Sequence, residues 1–130
     1  QRIITPHPGE ASHLLGVPIE TIEQNRFSAV QALQGKFGGV AVLKGAGTLV
    51  CDGQDTYVCL AGNPGMASGG MGDVLSGIIA SLLAQGLNLS EAARIGVLIH
   101  SMAADNSASE HGERGLLASD LLHYIRRLVN

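Results

Sequence analysis

A glycine-rich segment that leads directly into an apolar stretch is the strongest constraint on how this chain can fold. Residues 63–77 read NPGMASGGMGDVLSG, and Asp73 is the only carboxylate among them. Glycines let backbone N–H groups close around an anion, and a helix that follows directs the positive end of its dipole toward the same place. The pattern therefore predicts a loop and a helix N-terminus that are suited to binding phosphate.

Asp73 lies at the predicted junction of the loop and the helix, and two roles for it are open. A carboxylate beside bound phosphate is placed to take a proton from a nearby hydroxyl, which makes Asp73 our candidate catalytic residue. An acidic residue in a first helical turn also interacts favourably with the helix dipole, by about 0.3–1 kcal/mol, without any chemical role. The segment has neither the GxxxxGK[ST] spacing of a P-loop nor the GxGxxG fingerprint of dinucleotide-binding folds.

Composition restricts the class of protein. The chain has 130 residues, of which 45% are hydrophobic, which is enough for one domain or part of one. A net charge of −3 with only 8 Lys and Arg gives no basic stripe for nucleic acid.

No apolar run is long enough to span a membrane and no signal peptide opens the sequence, so we expect a cytoplasmic protein. Cys51 and Cys59 show no metal-ligand spacing with each other or with the histidines, so we expect reduced thiols and no metal site.

Predicted strands and helices alternate along the chain, which favours an α/β layered fold. The strands are predicted at 3–5, 40–43, 48–52 and 56–60, the last two joined as a hairpin around Gly53. The predicted helix starts are Pro8, a capping box of Thr21 and Gln24, the end of the glycine-rich segment, Ser90 and Ser119. Because the sequence opens on Gln1 just before a strand, we expect it to begin inside a longer domain.

Two further sites are candidates for ligand binding. Residues 44–48 read KGAGT and follow a predicted buried strand, and ligands of open α/β sheets bind beyond the carboxyl ends of strands. Glycines there would let the backbone approach a nucleotide closely, although a lysine that ends a strand can also simply be solvated. His7 lies between two prolines in a rigid turn, where it could either contact a ligand or only fill the turn.

Four segments together resemble the ADP- or ATP-dependent NAD(P)H-hydrate dehydratases: TPHPGE (5–10), KGAGT (44–48), the glycine-rich segment (63–77) and GLLASDL (115–121). The resemblance covers nearly the whole chain. It implies a ribokinase-like layered α/β fold in which residues 1–130 form the C-terminal part of the dehydratase domain, with the N-terminal part absent. In bacteria it further implies an epimerase domain earlier in the same polypeptide.

The resemblance also implies an activity. Hydrated NADH or NADPH would be dehydrated to the working cofactor with ADP or ATP as co-substrate, by phosphorylation of the ring hydroxyl and elimination of phosphate. Asp73 would be catalytic and would contact the hydrate, as would His7. Mg²⁺ is implied, with its acidic ligands in the missing part. The implied nucleotide-binding residues are Lys44, Gly45, Ala46, Gly47, Thr48, Asn63, Gly69, Gly70 and Gly72.

Alternatives to this activity stay open. Kinases of thiazole or pyrimidine alcohols share the glycine loop and the acid, and Met71 stands where those kinases often have a hydroxyl residue. A catalytically silent nucleotide-binding module is the third possibility, and an intact Asp73 argues against it. Because half of a parallel sheet would expose an apolar edge along residues 40–43, we expect a homo-oligomer or a complementary chain.

Overall fold

A computed structural model describes all 130 residues of the chain. The strands are β1 (Ile3–Ile4), β2 (Val40–Leu43), β3 (Leu49–Cys51) and β4 (Thr56–Val58). The helices are α1 (Pro8–Leu15), α2 (Ile19–Gln24), α3 (Arg26–Phe37), α4 (Met71–Ala84), α5 (Leu89–His111) and α6 (Leu121–Leu128), with short 3₁₀ turns at Pro64–Met66 and Ala118–Asp120. None of these helices has both the length and the apolar composition needed to cross a membrane. The predicted alternation of strands and helices is confirmed.

The four strands form one mixed sheet in the order β1-β2-β3-β4. β1 runs parallel to β2, with Ile3 opposite Val40. The other neighbours are antiparallel, with Val42 opposite Val50 and Val50 opposite Tyr57. The predicted hairpin is confirmed, although its strands are shorter than expected. The expectation of a parallel sheet holds only for the β1–β2 pair in this chain, because a tight hairpin can join only antiparallel strands.

Helices cover both faces of the sheet, as the continuous apolar sequence of β2 predicts. Every residue of β2 is buried, and the strand is paired with β1 on one side and β3 on the other. The expected exposed edge along residues 40–43 is therefore wrong, and the sheet edge beside it belongs to β1. The side chains of β2 alternate between two hydrophobic clusters, because successive side chains of a strand point to opposite faces. Ala41 and Leu43 pack with residues of α1, α2 and α3, whereas Val40 and Val42 pack with α4 and α5. A third cluster joins α4, α5 and α6 around Leu121.

Three predicted helix starts are wrong. Thr21 and Gln24 lie inside and at the end of α2, and α3 is instead capped by Asn25, whose side chain accepts a hydrogen bond from the Ser28 N–H at 3.0 Å. The two other corrections concern serines. Ser90 lies two residues after the true N-cap, because a capping box of Asn88 and Glu91 begins α5. Ser119 lies within the 3₁₀ turn that precedes α6.

The start of α1 is confirmed and positions one predicted site residue. Pro8 occupies the first turn and His7 is the N-cap. Nδ1 of His7 accepts a hydrogen bond from the Glu10 N–H at 3.1 Å, while Oε2 of Glu10 accepts one from the His7 N–H at 2.8 Å. This reciprocal pair satisfies two N–H groups that the helix leaves unpaired, so His7 has a structural role whatever it contacts.

Candidate functional site

A cavity of about 560 Å³ opens where β2 ends and α4 begins. The loop of residues 44–48 forms one wall, the segment of residues 60–67 another, and the first turn of α4 and the middle of α5 close it. The lining residues are Lys44, Gly45, Ala46, Gly47, Thr48, Leu60, Ala61, Gly62, Asn63, Pro64, Met66, Ala67, Met71, Gly72, Leu75, Val97, His100 and Ser101. The two segments that were predicted separately to bind a nucleotide therefore face one cavity.

The loop of residues 44–48 is held by its own hydrogen bonds and by one side chain. The Thr48 hydroxyl donates to the Gly45 carbonyl at 3.1 Å and accepts from the Gly45 N–H at 3.3 Å. The guanidinium of Arg26 donates to carbonyl oxygens on the other side. The N–H groups of Ala46 and Gly47 have no hydrogen-bond partner within the chain. Backbone donors without partners beside a cavity are available to a ligand.

Lys44 connects this cavity with the start of α1. Its side chain is one quarter exposed, and its Nζ atom lies 3.8 Å from Oε2 of Glu10. The same Nζ atom approaches the first turn of α4 so closely that a Cβ atom added at Gly72 would lie 2.9 Å from it. The ammonium group therefore lies between two helix N-termini, each of which carries a partial positive charge that favours an anion nearby.

Glu10 partly balances that positive charge. The pKa of its carboxyl lies below the usual 4.5, chiefly because the carboxylate accepts the hydrogen bond from the His7 backbone N–H, and the charges of Lys44 and His7 lower it further against the opposing effect of burial. Glu10 is therefore ionised at neutral pH and can keep the Lys44 side chain extended toward α1 when no other anion is present.

Asp73 and His7 lie outside the walls of the cavity. Asp73 is exposed in the first turn of α4, directly after Gly72, and no hydrogen bond or ion pair within the chain engages its carboxylate. His7 is also exposed and borders a separate depression along α1. Lys44 is the residue that connects the two regions, because its ammonium approaches both Glu10 and Gly72.

The predicted glycines divide between two positions. Gly72 lines the cavity, whereas Gly69 and Gly70 are exposed just before α4 and do not. Gly70 is the N-cap of α4 and contributes no side-chain hydrogen bond, so the first-turn amides of this helix stay open.

Met71, which stands where related kinases often have a hydroxyl, is buried in the cluster of α4, α5 and α6. Its side chain is therefore a packing group.

Asn63 is held in place by a residue that sequence analysis missed. Asp105 of α5 accepts hydrogen bonds from the Gly62 N–H at 2.9 Å and from Nδ2 of Asn63 at 2.8 Å. Oδ1 of Asn63 in turn accepts from the Gly65 N–H at 3.0 Å. These bonds fix the second wall of the cavity to α5. Asn63 and Asp105 are 42 positions apart in the sequence, so no local pattern could have indicated the pair.

His100 lines the cavity and is a further residue that the sequence did not indicate. It is 6% exposed, and its Nε2 atom has no hydrogen-bond partner. Burial lowers the pKa of the imidazole, with the backbone of Met71 opposing and the charge of Lys44 reinforcing the shift. His100 is therefore neutral at pH 7 and adds no charge to the cavity.

The described side chains include no group of three or more His, Cys, Asp or Glu residues that could hold a metal ion. Mg²⁺ takes hard oxygen ligands such as carboxylates, and Asp73 and Glu10 lie on different helices at this site. These 130 residues therefore do not fit a protein-bound Mg²⁺ site by themselves.

The free thiols Cys51 and Cys59 lie in the region of the hairpin, where Cys51 is buried.

Solved structures define the class of fold. The chain matches a ribokinase-like superfamily protein from Enterococcus faecalis with a TM-score of 0.79 and 34% identity, over 96% of this chain and 44% of that one. It matches the ADP/ATP-dependent NAD(P)H-hydrate dehydratase of Bacillus subtilis, co-crystallised with ATP/Mg²⁺, with a TM-score of 0.92 and 31% identity, over 98% of this chain and 46% of that one. The fold is therefore ribokinase-like, as predicted.

The family follows from the sequence comparisons. The family model for NAD(P)H-hydrate dehydratase matches residues 1–127. The bifunctional NAD(P)H-hydrate repair enzyme Nnr of Vibrio cholerae is 64% identical over 130 residues, and that of Escherichia coli K12 is 53% identical. The chain belongs to the NAD(P)H-hydrate dehydratase family, which confirms the resemblance. It spans 26% and 25% of the length of these two relatives, and 100% and 99% of its own length is covered.

A more distant match concerns the alternative activity. The hydroxyethylthiazole kinase of Pyrococcus horikoshii superimposes with a TM-score of 0.83 at 21% identity, over 96% of this chain and 48% of that one. At this level of identity the match shows a shared fold and says nothing about the substrate. The kinase alternative therefore has the support of the fold alone.

Proposed function

We propose that this chain supplies the nucleotide site and the general base, Asp73, of an enzyme that dehydrates NAD(P)H hydrate back to NAD(P)H, with ADP or ATP as co-substrate. The proposal depends mainly on one observation: residues 44–48, residues 60–67 and the first turn of α4 line the same cavity. The relatives named as NAD(P)H-hydrate repair enzymes support the same activity.

The nucleotide would lie between the two walls of the cavity. Apolar side chains such as Leu60, Met66 and Val97 suit a base and a sugar, and the open amides of Ala46 and Gly47 suit their polar atoms. The phosphates would extend toward the N-terminus of α4, where the Gly72 amide and the Lys44 ammonium can stabilise negative charge. Gly69 and Gly70, just before this turn, would contact the terminal phosphate.

Asp73 would act as the general base. Its exposed carboxylate, one residue after Gly72, would take the proton from the hydroxyl of the hydrated nicotinamide ring while that oxygen attacks the terminal phosphorus of the nucleotide. The nucleotide would leave one phosphate shorter. The ring nitrogen's electron pair would then expel phosphate from the ring, and loss of a proton from the neighbouring ring carbon would give the carbon–carbon double bond of NAD(P)H. His7 would contact the hydrate from the start of α1. Mg²⁺, carried with the nucleotide, would neutralise phosphate charge.

We further propose that residues 1–130 form the C-terminal part of the dehydratase domain. The chain covers about half of the Bacillus subtilis dehydratase and about a quarter of the bifunctional relatives. In such a polypeptide an epimerase domain would share the chain, and the remaining part of the domain would cover the free edge of β1 and bring the hydrate to Asp73. As part of the same proposal, the complete protein would form a homo-oligomer and would be located in the cytoplasm.

The experiment that tests the function follows the near-ultraviolet absorbance of the reduced nicotinamide ring. The complete polypeptide is incubated with hydrated NADH or NADPH and with ADP, ATP or no nucleotide. We expect the absorbance to recover only when nucleotide is present. Phosphorylation of a thiazole or pyrimidine alcohol without recovery from the hydrate would support the kinase alternative. Nucleotide binding without any turnover would support the silent module.

A further inference from the structure

Arg26 is the first residue of α3, and its side chain crosses to the loop that follows β2. The guanidinium donates hydrogen bonds to three backbone carbonyl oxygens, those of Leu43, Lys44 and Gly47, each at 3.3 Å. No carboxylate lies within ion-pair distance of it. The charged donors of Arg26 are therefore directed at the backbone of the loop rather than at an acidic partner.

The loop also lies unusually close to this side chain. A Cβ atom added at Gly45 would lie 2.6 Å from Nη1 and 3.0 Å from Nη2 of Arg26. A side chain here would displace the end of the flexible Arg26 side chain, and it would also be strained because Gly45 has a φ of 152°. The first glycine of KGAGT is therefore favoured both by its backbone conformation and by the nearby guanidinium of Arg26.

The direction of a carbonyl fixes the direction of its amide. In a planar trans peptide the C=O and N–H groups of one unit point to opposite sides. Because the Gly47 carbonyl points toward Arg26, the Thr48 N–H of the same peptide unit points away from it, into the hydrogen-bonded turn that spans residues 45–48. Gly47 and Thr48 both line the cavity. Arg26 thus holds the two ends of the loop through the carbonyls of Leu43, Lys44 and Gly47. The N–H groups of Ala46 and Gly47 lie between these ends and stay without a partner.

We propose that Arg26 is the positioning residue of the nucleotide-binding loop, residues 44–48. It holds three carbonyl oxygens on one side, so that the free amides of the loop are already oriented when an adenine nucleotide enters the cavity. This inference rests on the proposed function of the cavity. Arg26 itself does not touch the nucleotide or the hydrate and takes no part in the chemical step.

The test compares R26M and R26K in the complete polypeptide. We expect R26M to raise the KM and the calorimetric Kd for the nucleotide about tenfold, because binding must then order a loose loop. We expect kcat to change by less than about threefold and the KM for the hydrate to stay unchanged. R26K keeps the charge but lacks the planar fork that reaches several carbonyls, so its values should lie between those of the wild type and R26M.

R126M is the matched control, since Arg126 is an exposed arginine in the last turn of α6 and its side chain contacts no part of the cavity. It should bind nucleotide as the wild type does. Circular dichroism of each variant checks the fold. A nucleotide Kd for R26M equal to that of R126M would overturn the inference. If R26M does not fold, the same comparison is made with R26K and G45A.

A double-mutant cycle separates positioning from general destabilisation. G45A forces the guanidinium away from the loop, so G45A and R26M should disrupt the same contact. We expect the double variant to weaken nucleotide binding by less than the product of the two single effects. Effects that simply multiply would overturn the inference.

The binding measurement also keeps the two proposals apart. Calorimetric Kd values do not depend on turnover, so a wild-type protein that binds nucleotide without dehydrating the hydrate would refute the proposed function and still allow the Arg26 test. A wild-type protein that binds no nucleotide would overturn both.

Discussion

The Nζ atom of Lys44 lies 3.8 Å from Oε2 of Glu10, and this contact joins the end of β2 to the first turn of α1. The same ammonium group approaches Gly72 in the first turn of α4. Two helix N-termini and one cation therefore converge beside the cavity, and such a convergence favours bound negative charge. Glu10 supplies one negative charge at this point.

Replacing the ammonium tests its contribution to phosphate binding and transfer. We expect K44M to lower kcat/KM for the nucleotide by about 10²-fold, because a preorganised charge near the transferred phosphoryl group is lost. The fold should be little affected, since partly exposed ion pairs contribute only about 0–1 kcal/mol. Steady-state kinetics and thermal unfolding measure the two effects. K36M, at an exposed lysine of α3, is the control, and an equal loss of activity in K36M would contradict the assignment.

The D73N variant separates catalysis from binding. We expect turnover to fall by about 10²–10⁴-fold, which is the usual contribution of a positioned general base. The calorimetric Kd for the nucleotide should stay within about threefold of the wild type, because the carboxylate lies outside the cavity walls. D55N, at an exposed residue of the hairpin turn, is the control. Wild-type turnover in D73N would show that Asp73 has no catalytic role and only interacts favourably with the dipole of α4.

Local features of this fold were predictable from sequence. The buried strand β2, the hairpin after it and the start of α1 each depend on residues close in the chain, and the structure has all three. The wrong helix starts also have a local cause. Several residues near α5 could act as caps, and Asn88 prevails over Ser90 because Glu91 completes its capping box. The Ser90 hydroxyl instead donates to Asp52.

Residues that support the site from a distance were not predictable. Asn63 was identified from the glycine-rich segment, but its partner Asp105 lies on α5, and Arg26 lies 18 residues before Lys44. Neither partner has a spacing that indicates its contact, because helix and strand periodicity describe only neighbours along one element. His100 occurs in an otherwise ordinary buried helix face, so only the packing of α5 against the cavity singles it out.

The pH dependence of the hairpin turn can be predicted from Asp52. The pKa of this carboxyl lies below the usual 3.8, chiefly because it accepts a hydrogen bond from the Asp55 N–H; the Ser90 hydroxyl, the Gln54 N–H and the charge of Arg94 lower it further, and burial opposes them. The ionised form is thus favoured in the folded state. Its contribution to stability is present above pH 3.8 and is lost as the pH falls through the lower folded-state pKa.

We therefore expect D52N to weaken the turn at neutral pH by about 1 kcal/mol, the typical worth of a hydrogen bond to such a group. Because the wild-type carboxyl becomes protonated in acid, the difference between D52N and the wild type should shrink as the pH falls below 3.8 and through the lower folded-state pKa. Native-state hydrogen exchange of the Gln54 and Asp55 amides measures this difference in the stability of the turn. A difference that stays constant with pH would contradict the assignment of the charge.

Asp105 offers a test of the second wall of the cavity. Its two carboxylate oxygens accept from the Gly62 N–H and from the side-chain amide of Asn63. In D105N one oxygen becomes an NH₂ group, which cannot accept, so one of the two donors must lose its partner. An unsatisfied donor at this position should loosen residues 60–67.

We expect D105N to raise the calorimetric Kd for the nucleotide about three- to tenfold, because the segment must then be ordered on binding. Hydrogen exchange of the Gly62 amide should become faster, while exchange in the loop of residues 44–48 should not change, since Arg26 and Thr48 hold that loop independently. N106D, at the next and exposed position of α5, controls for a change of charge on this helix. Unaltered Gly62 exchange in D105N would show that Asp105 does not anchor the wall. If D105N weakened nucleotide binding while Gly62 stayed protected, the loss would come from the charge of Asp105 rather than from the position of the segment.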